Sequence, residues 1–120
     1  MALRLEALGL DVATFTRITG SSGVIYTVLI YVRRDPSLVI GIMPEKIVDE
    51  TYPMLMTLKA ADIPNSIIVI VLPSSFKPEL EKVFNPEKIR MIRVDDISSS
   101  VDRIVGGIAR IIGVISYERH

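Results

Sequence analysis

The side chains whose types and spacing could do chemistry are few in this chain, and the densest set is Leu72-Pro73-Ser74-Ser75-Phe76-Lys77. Two hydroxyls and an ammonium follow a run of aliphatics at the point where a buried strand would hand over to a helix. Free helix N–H groups, Ser74, Ser75 and Lys77 together would hold a small anion such as a phosphate, a nucleotide or a carboxylate. The plainer alternative is that Ser74 or Ser75 caps the helix that follows. The stretch also lacks the glycines of a phosphate loop.

Arg33-Arg34 at a hairpin end, with Arg17 and Tyr31 on neighbouring strands, form the candidate nucleic-acid patch. Charges at such an end equally serve solubility. Asp95-Asp96 would raise one another's pKa if they converged, which suits metal binding or acid-base work. Adjacent in sequence and without a third ligand, they fit a solvated turn as well. The single histidine, His120, gives no basis for a catalytic triad, and the absence of cysteine excludes disulfides, thiolate metal sites and cysteine nucleophiles. No metal and no cofactor is expected. An enzyme built from distant residues such as Glu6, Glu45, Lys46 and Asp95 would require the fold to gather them.

Around these residues the elements can be read in order. Ala2 to Leu10 is a short amphipathic helix with Gly9 as its stop. Val12 to Ile18 is rich in β-formers, Gly20-Ser21-Ser22-Gly23 closes it as a turn, and Val24 to Arg33 is a second strand with Tyr26 and Tyr31 on opposite faces. Arg34-Asp35-Pro36-Ser37 turns the chain into Leu38 to Met43, giving three antiparallel strands. Helical spacing from about Thr51 to Ala61 tolerates Pro53 only in or near a first turn.

Ser66 to Ser75 lacks the alternation of a strand with one wet face, so it reads as the centre of a parallel or mixed sheet, covered on both sides. Pro78 to Phe84 is a short helix, and Ile89 to Val94 a last strand reached by a right-handed crossover. The final helix carries Val101, Ile104, Val105, Ile108, Ile111, Ile112 and Ile115 on one apolar stripe. Gly106, Ala109 and Gly113 share one flank of it. Each mid-helix glycine costs about 1 kcal/mol relative to alanine, so something comes close to that backbone, either the protein's own sheet or a second copy in a homodimer.

The predicted fold is a single α/β domain over residues 1–120, three layers with a mixed five-stranded sheet, in the order α-β-β-β-α-β-α-β-α. Fourteen basic and fourteen acidic residues cancel, so no global field draws the chain to nucleic acid or to anionic membranes. The longest apolar runs fall short of the roughly 20 residues that span a bilayer, and Arg4 and Glu6 interrupt the apolar start, so no membrane association is expected and a cytoplasmic location is. Absent glutamine, cysteine and tryptophan beside abundant isoleucine is a bias compatible with a thermophilic source.

An opening helix, a three-strand meander, a helix, a buried strand, a helix and a last strand resembles the core order of the PD-(D/E)XK nuclease superfamily, including archaeal Holliday-junction resolvases. That resemblance implies an acid near the start of the second strand and Glu-x-Lys on the third, which hold a divalent cation and orient the attacking water. Here the interval from Val12 to Arg34 carries no acid, and the place of Glu-x-Lys falls on Gly41 and Met43. Glu45-Lys46 comes later and lacks the intervening residue. What the resemblance implies for this chain is a catalytically inactive copy acting as a binding or assembly module, with nucleic acid as an inherited partner class.

Overall fold

In this computed structural model the chain is described over residues 2–42, 51–74, 88–96 and 100–118. The elements are α1 (Ala2–Ala7), β1 (Val12–Thr19), β2 (Ile25–Val32), β3 (Ser37–Ile42), α2 (Thr51–Asp62), β4 (Ser66–Pro73), β5 (Ile89–Val94) and α3 (Val101–Glu118). All five strands lie in one sheet in sequence order. β1, β2 and β3 are an antiparallel meander, and β3, β4 and β5 run parallel. The chain is therefore an α/β fold with a mixed five-stranded sheet. The helix expected at Pro78 to Phe84 lies outside the described residues.

β4 is buried on both faces as its uninterrupted aliphatics require. Val69 and Val71 face one side with Leu5 of α1 and Ile104, Ile108 and Ile115 of α3. Ile68, Ile70 and Leu72 face the other with Ala60 and Ile63 at the end of α2. Burying each such side chain contributes about 1.5–3 kcal/mol, so β4 alone joins the two helical layers into one cooperative unit. The helix ends follow local chemistry. Gly9, at φ 85°, stops α1 in the left-handed region that a glycine enters without strain. Pro64 and Asn65, the latter at φ 51°, stop α2 and turn the chain into β4.

One expectation fails in the meander. Tyr26 and Tyr31 were expected on opposite faces of β2, yet both pack against the cluster on the α2 side. The cause is a change of phase partway along the hairpin. Phe15 sits at φ 49° and drops out of an otherwise continuous register with β2. On one side of it Val12, Ile30 and Val32 face the α1–α3 layer, and on the other Ile18, Tyr26 and Val28 face α2. The hairpin thus switches faces without slipping register, and Phe15 is left 73% exposed.

Candidate functional site

Two polar clusters lie toward opposite edges of the sheet, and the sequence reading singled out neither. The first joins the tip of the β1–β2 hairpin to the last turn of α2. Because Gly20-Ser21-Ser22-Gly23 makes a tight turn, with Gly23 N–H donating to Gly20 O at 3.0 Å, the tip can fold over the helix end. There the Asp62 carboxylate accepts hydrogen bonds from Ser22 N–H at 2.8 Å, the Ser22 hydroxyl at 2.7 Å and the Tyr26 hydroxyl at 2.6 Å. Ser21 N–H donates to the Asp62 carbonyl at 2.7 Å. The Lys59 ammonium stands 5.5 Å from the centre of the Tyr26 ring, within reach of a cation–π contact.

These bonds shift the titrations in consistent directions. The Tyr26 hydrogen bond, followed by those from Ser22, holds the Asp62 carboxyl below the usual carboxylate range. The same bond to Asp62, helped by desolvation and by the carboxylate charge, pushes the Tyr26 phenol up. Burial pulls the Lys59 ammonium down. Perturbed groups often mark active sites, but here the donors that perturb Asp62 also occupy it. The cluster is a clasp. Its members are 36 and 40 residues apart in pairs, and no local pattern in the sequence signals it.

The second cluster is a groove of about 500 Å³ between β5 and α3, lined by Arg93, Arg103, Gly106, Gly107 and Arg110 among others. Arg103 and Arg110 are two turns apart on the same face of α3, with the two glycines between them. Gly107 brings the helix close to the sheet, since a Cβ there would lie 2.9 Å from Ile92 Cδ1. A Cβ at Gly106 would meet nothing within 4 Å. Among the described residues no acidic side chain lines the groove. Asp102, in the first turn of α3, is ion-paired with Arg4 of α1, and among the described residues neither Arg103 nor Arg110 has an ion-pair partner. A signal existed in sequence, Arg-x-x-Gly-Gly-x-x-Arg on a helix, but charges on a helix face usually mean solvation.

The residues proposed from sequence fare differently. Ser74 lies at the exposed end of β4, its N–H donating to Val94 O at 3.0 Å and its carbonyl accepting from the Arg93 guanidinium at 3.2 Å. Its backbone thus ties β4 to β5, while Ser75 and Lys77 lie outside the described residues. The patch of Arg17, Tyr31, Arg33 and Arg34 is not gathered into one surface. Arg17 pairs with Thr27 far along the hairpin, whereas Arg33 N–H bonds Asp11 O beside the other end of β1. That is about 20 Å at the rise of a strand.

Tyr31 packs toward α2, and alternation with the inward Ile18 turns Arg17 to the other face. The Arg33 guanidinium is paired with Asp11 at 2.9 Å. Gly106, Ala109 and Gly113 are all exposed on α3, and the close approach to the sheet belongs to their neighbour Gly107. Asp95 and Asp96 are exposed after β5. Glu45, Lys46 and Met43 lie outside the described residues, and among the described residues no three acidic or imidazole groups converge. No described helix is long and apolar enough to cross a membrane.

No family model matches the chain, and no curated protein is similar to it. Among solved structures, the crystal structure of AF1548, a protein of unknown function, is similar to it with a TM-score of 0.57 at 19% identity, over 75% of this chain and 53% of that one. The likeness shows the α/β fold. This chain spans about half the length of AF1548.

Proposed function

We propose that the protein is a non-catalytic binding or assembly module with nuclease-like topology. The observation that carries the reading is the combination of element order and strand content. A helix, an antiparallel meander, a helix and two parallel strands follow one another, an order that supports the reading by its likeness to the PD-(D/E)XK core. The strands that would bear the ligands offer none: β1 and β2 and the turn between them contain no acid, Thr27 stands exposed on β2, and Gly41 occupies β3. Hard divalent cations are held by oxygen ligands, chiefly carboxylates, and an apolar meander cannot replace them. Assembly as a homodimer would use the exposed flank of α3 at Ala109 and Gly113.

The test is cleavage of branched and single-stranded DNA by the pure protein with magnesium or manganese. No cleavage above a buffer control is expected. Cleavage that copurifies with the protein and stops on adding chelator would overturn the reading.

A further inference from the structure

We propose that the groove between β5 and α3 is a binding site for a small polyphosphate anion, of the nucleoside triphosphate or tripolyphosphate kind. Arg103 and Arg110 are seven residues apart, about 10 Å along the helix axis. A single phosphate would have to draw both long side chains inward, whereas a chain of phosphates can meet each guanidinium near its own position, and arginine forks are shaped for phosphate oxygens. The two guanidiniums share one wall and no acid among the described residues lines it, so a bound polyanion would supply the counter-charge that the described residues do not.

The opposite wall adds a donor. Ile68 N–H bonds Lys88 O, and Ser74 N–H bonds Val94 O, so the even-numbered residues of β5 direct their backbone groups to β4. The backbone N–H group of Met91 therefore turns to the outer edge of β5, where Met91 lines the groove. With open space in place of a Cβ at Gly106, the floor between the two arginines is flat enough for a ligand to lie against the helix. The volume of about 500 Å³ falls within the range of small-molecule sites. Ile92 and Ile111 give one part an apolar wall that suits a nucleoside. Among the described residues no aromatic side chain lines it, so they supply no stacking platform of the single-stranded nucleic-acid kind. The inference goes beyond the binding-module reading and does not depend on the nuclease resemblance.

The experiment is calorimetric titration near physiological salt with tripolyphosphate, a nucleoside triphosphate, the matching monophosphate, inorganic phosphate and a short single-stranded oligonucleotide. Triphosphates are expected to bind, and monophosphate and phosphate to bind at least tenfold more weakly. Arg103→Gln and Arg110→Gln should each weaken triphosphate binding about tenfold, the loss of one charged hydrogen-bonding group, while Arg17→Gln, equal in charge change but distant, should leave it unchanged. A nucleoside triphosphate tighter than tripolyphosphate assigns the apolar wall to the nucleoside, and equal affinities assign the site to the phosphate chain; both sustain the proposal.

It is overturned if the Arg103→Gln/Arg110→Gln double variant, shown folded by an unchanged melting temperature, binds triphosphate like wild type. It is equally overturned if inorganic phosphate matches tripolyphosphate. An oligonucleotide that binds tighter than the triphosphate, with affinity rising with its length, replaces the proposal by a nucleic-acid surface.

Discussion

The clasp at Asp62 and the groove at Arg103 and Arg110 are built from similar parts and end in opposite states. At the clasp one carboxylate receives two hydroxyls and a backbone N–H, so every strong group faces a partner supplied by the chain itself. In the groove two guanidiniums face open space beside a glycine. A polar group that the fold satisfies serves the fold. Charges of one sign gathered in a concavity without internal partners have their complement outside the molecule. The comparison also separates two meanings of a perturbed residue, because the shifted titrations of Tyr26 and Asp62 report internal bonding, whereas the groove is marked by charge and shape.

The largest effect is expected where the clasp is tightest. A Cβ at Gly20 would overlap the Asp62 carboxylate and come 2.9 Å from the Tyr26 ring. Gly20→Ala should therefore destabilise by about 2 kcal/mol, the usual range for forcing an extra carbon into a filled site, read as a lower urea midpoint at unchanged m-value. The same change made in an Asp62→Ala background should cost less, since the carboxylate, the nearer obstacle, is gone and only the Tyr26 ring remains to be displaced. Equal losses in both backgrounds would break the clasp as described.

A smaller effect is expected from pH. Hydrogen bonds to its charged form lower the Asp62 pKa in the native state, so the unfolded chain binds its proton first. The stability Asp62 contributes is full above about pH 4, the ordinary carboxylate range, and is lost as pH falls through the lowered native value. The gap in stability between wild type and Asp62→Asn should be widest at neutral pH and close on acidification. Tyr26 has the opposite sign. Its raised native pKa makes its contribution full below about pH 10 and lost on further alkalinisation, so the gap to Tyr26→Phe should close at the alkaline end. Urea titrations at acid, neutral and alkaline pH decide this, and a gap constant with pH would show that the bonds do not favour the ionised carboxyl or the neutral phenol.

Much of the fold was legible before any coordinates, because burial on both faces leaves a mark in every residue of a strand. The run from Ser66 and the strand from Ile89 to Val94 stand where composition put them. The three antiparallel strands follow from turn chemistry at Gly20–Gly23 and at Asp35-Pro36, and the α3 stripe from its period. The faces of Tyr26 and Tyr31 were not legible. Strict alternation assigns them to opposite sides, and only the conformation of Phe15 reveals the switch. Asp62 was invisible because its partners lie on an element folded back from far away in sequence. The arginine groove was half legible. Spacing puts Arg103 and Arg110 on one face of α3, but only the sheet order makes β5 an edge that this face overlooks. For Ser75 and Lys77 nothing adds to the sequence reading.

The two central glycines of α3 supply the finest division between fold and site. In sequence Gly106 and Gly107 are equivalent, each costing about 1 kcal/mol relative to alanine in a helix. In space they differ. Gly107→Ala places its Cβ 2.9 Å from Ile92 Cδ1 and 3.2 Å from Ile92 Cγ1, so the gain in helix propensity is offset by displacing a buried side chain, and the net change should be near zero or unfavourable. Gly106→Ala meets nothing within 4 Å and should raise stability by about 1 kcal/mol. An unclaimed gain of that size at one position is explicable if the flat floor serves a ligand, in which case the more stable Gly106→Ala protein should bind triphosphate more weakly. Thermal melts and titrations on the two single variants check both halves. Equal stabilisation by both substitutions would remove the close approach at Ile92, and unchanged triphosphate affinity in Gly106→Ala would confine the anion to the arginine tips, away from the helix backbone.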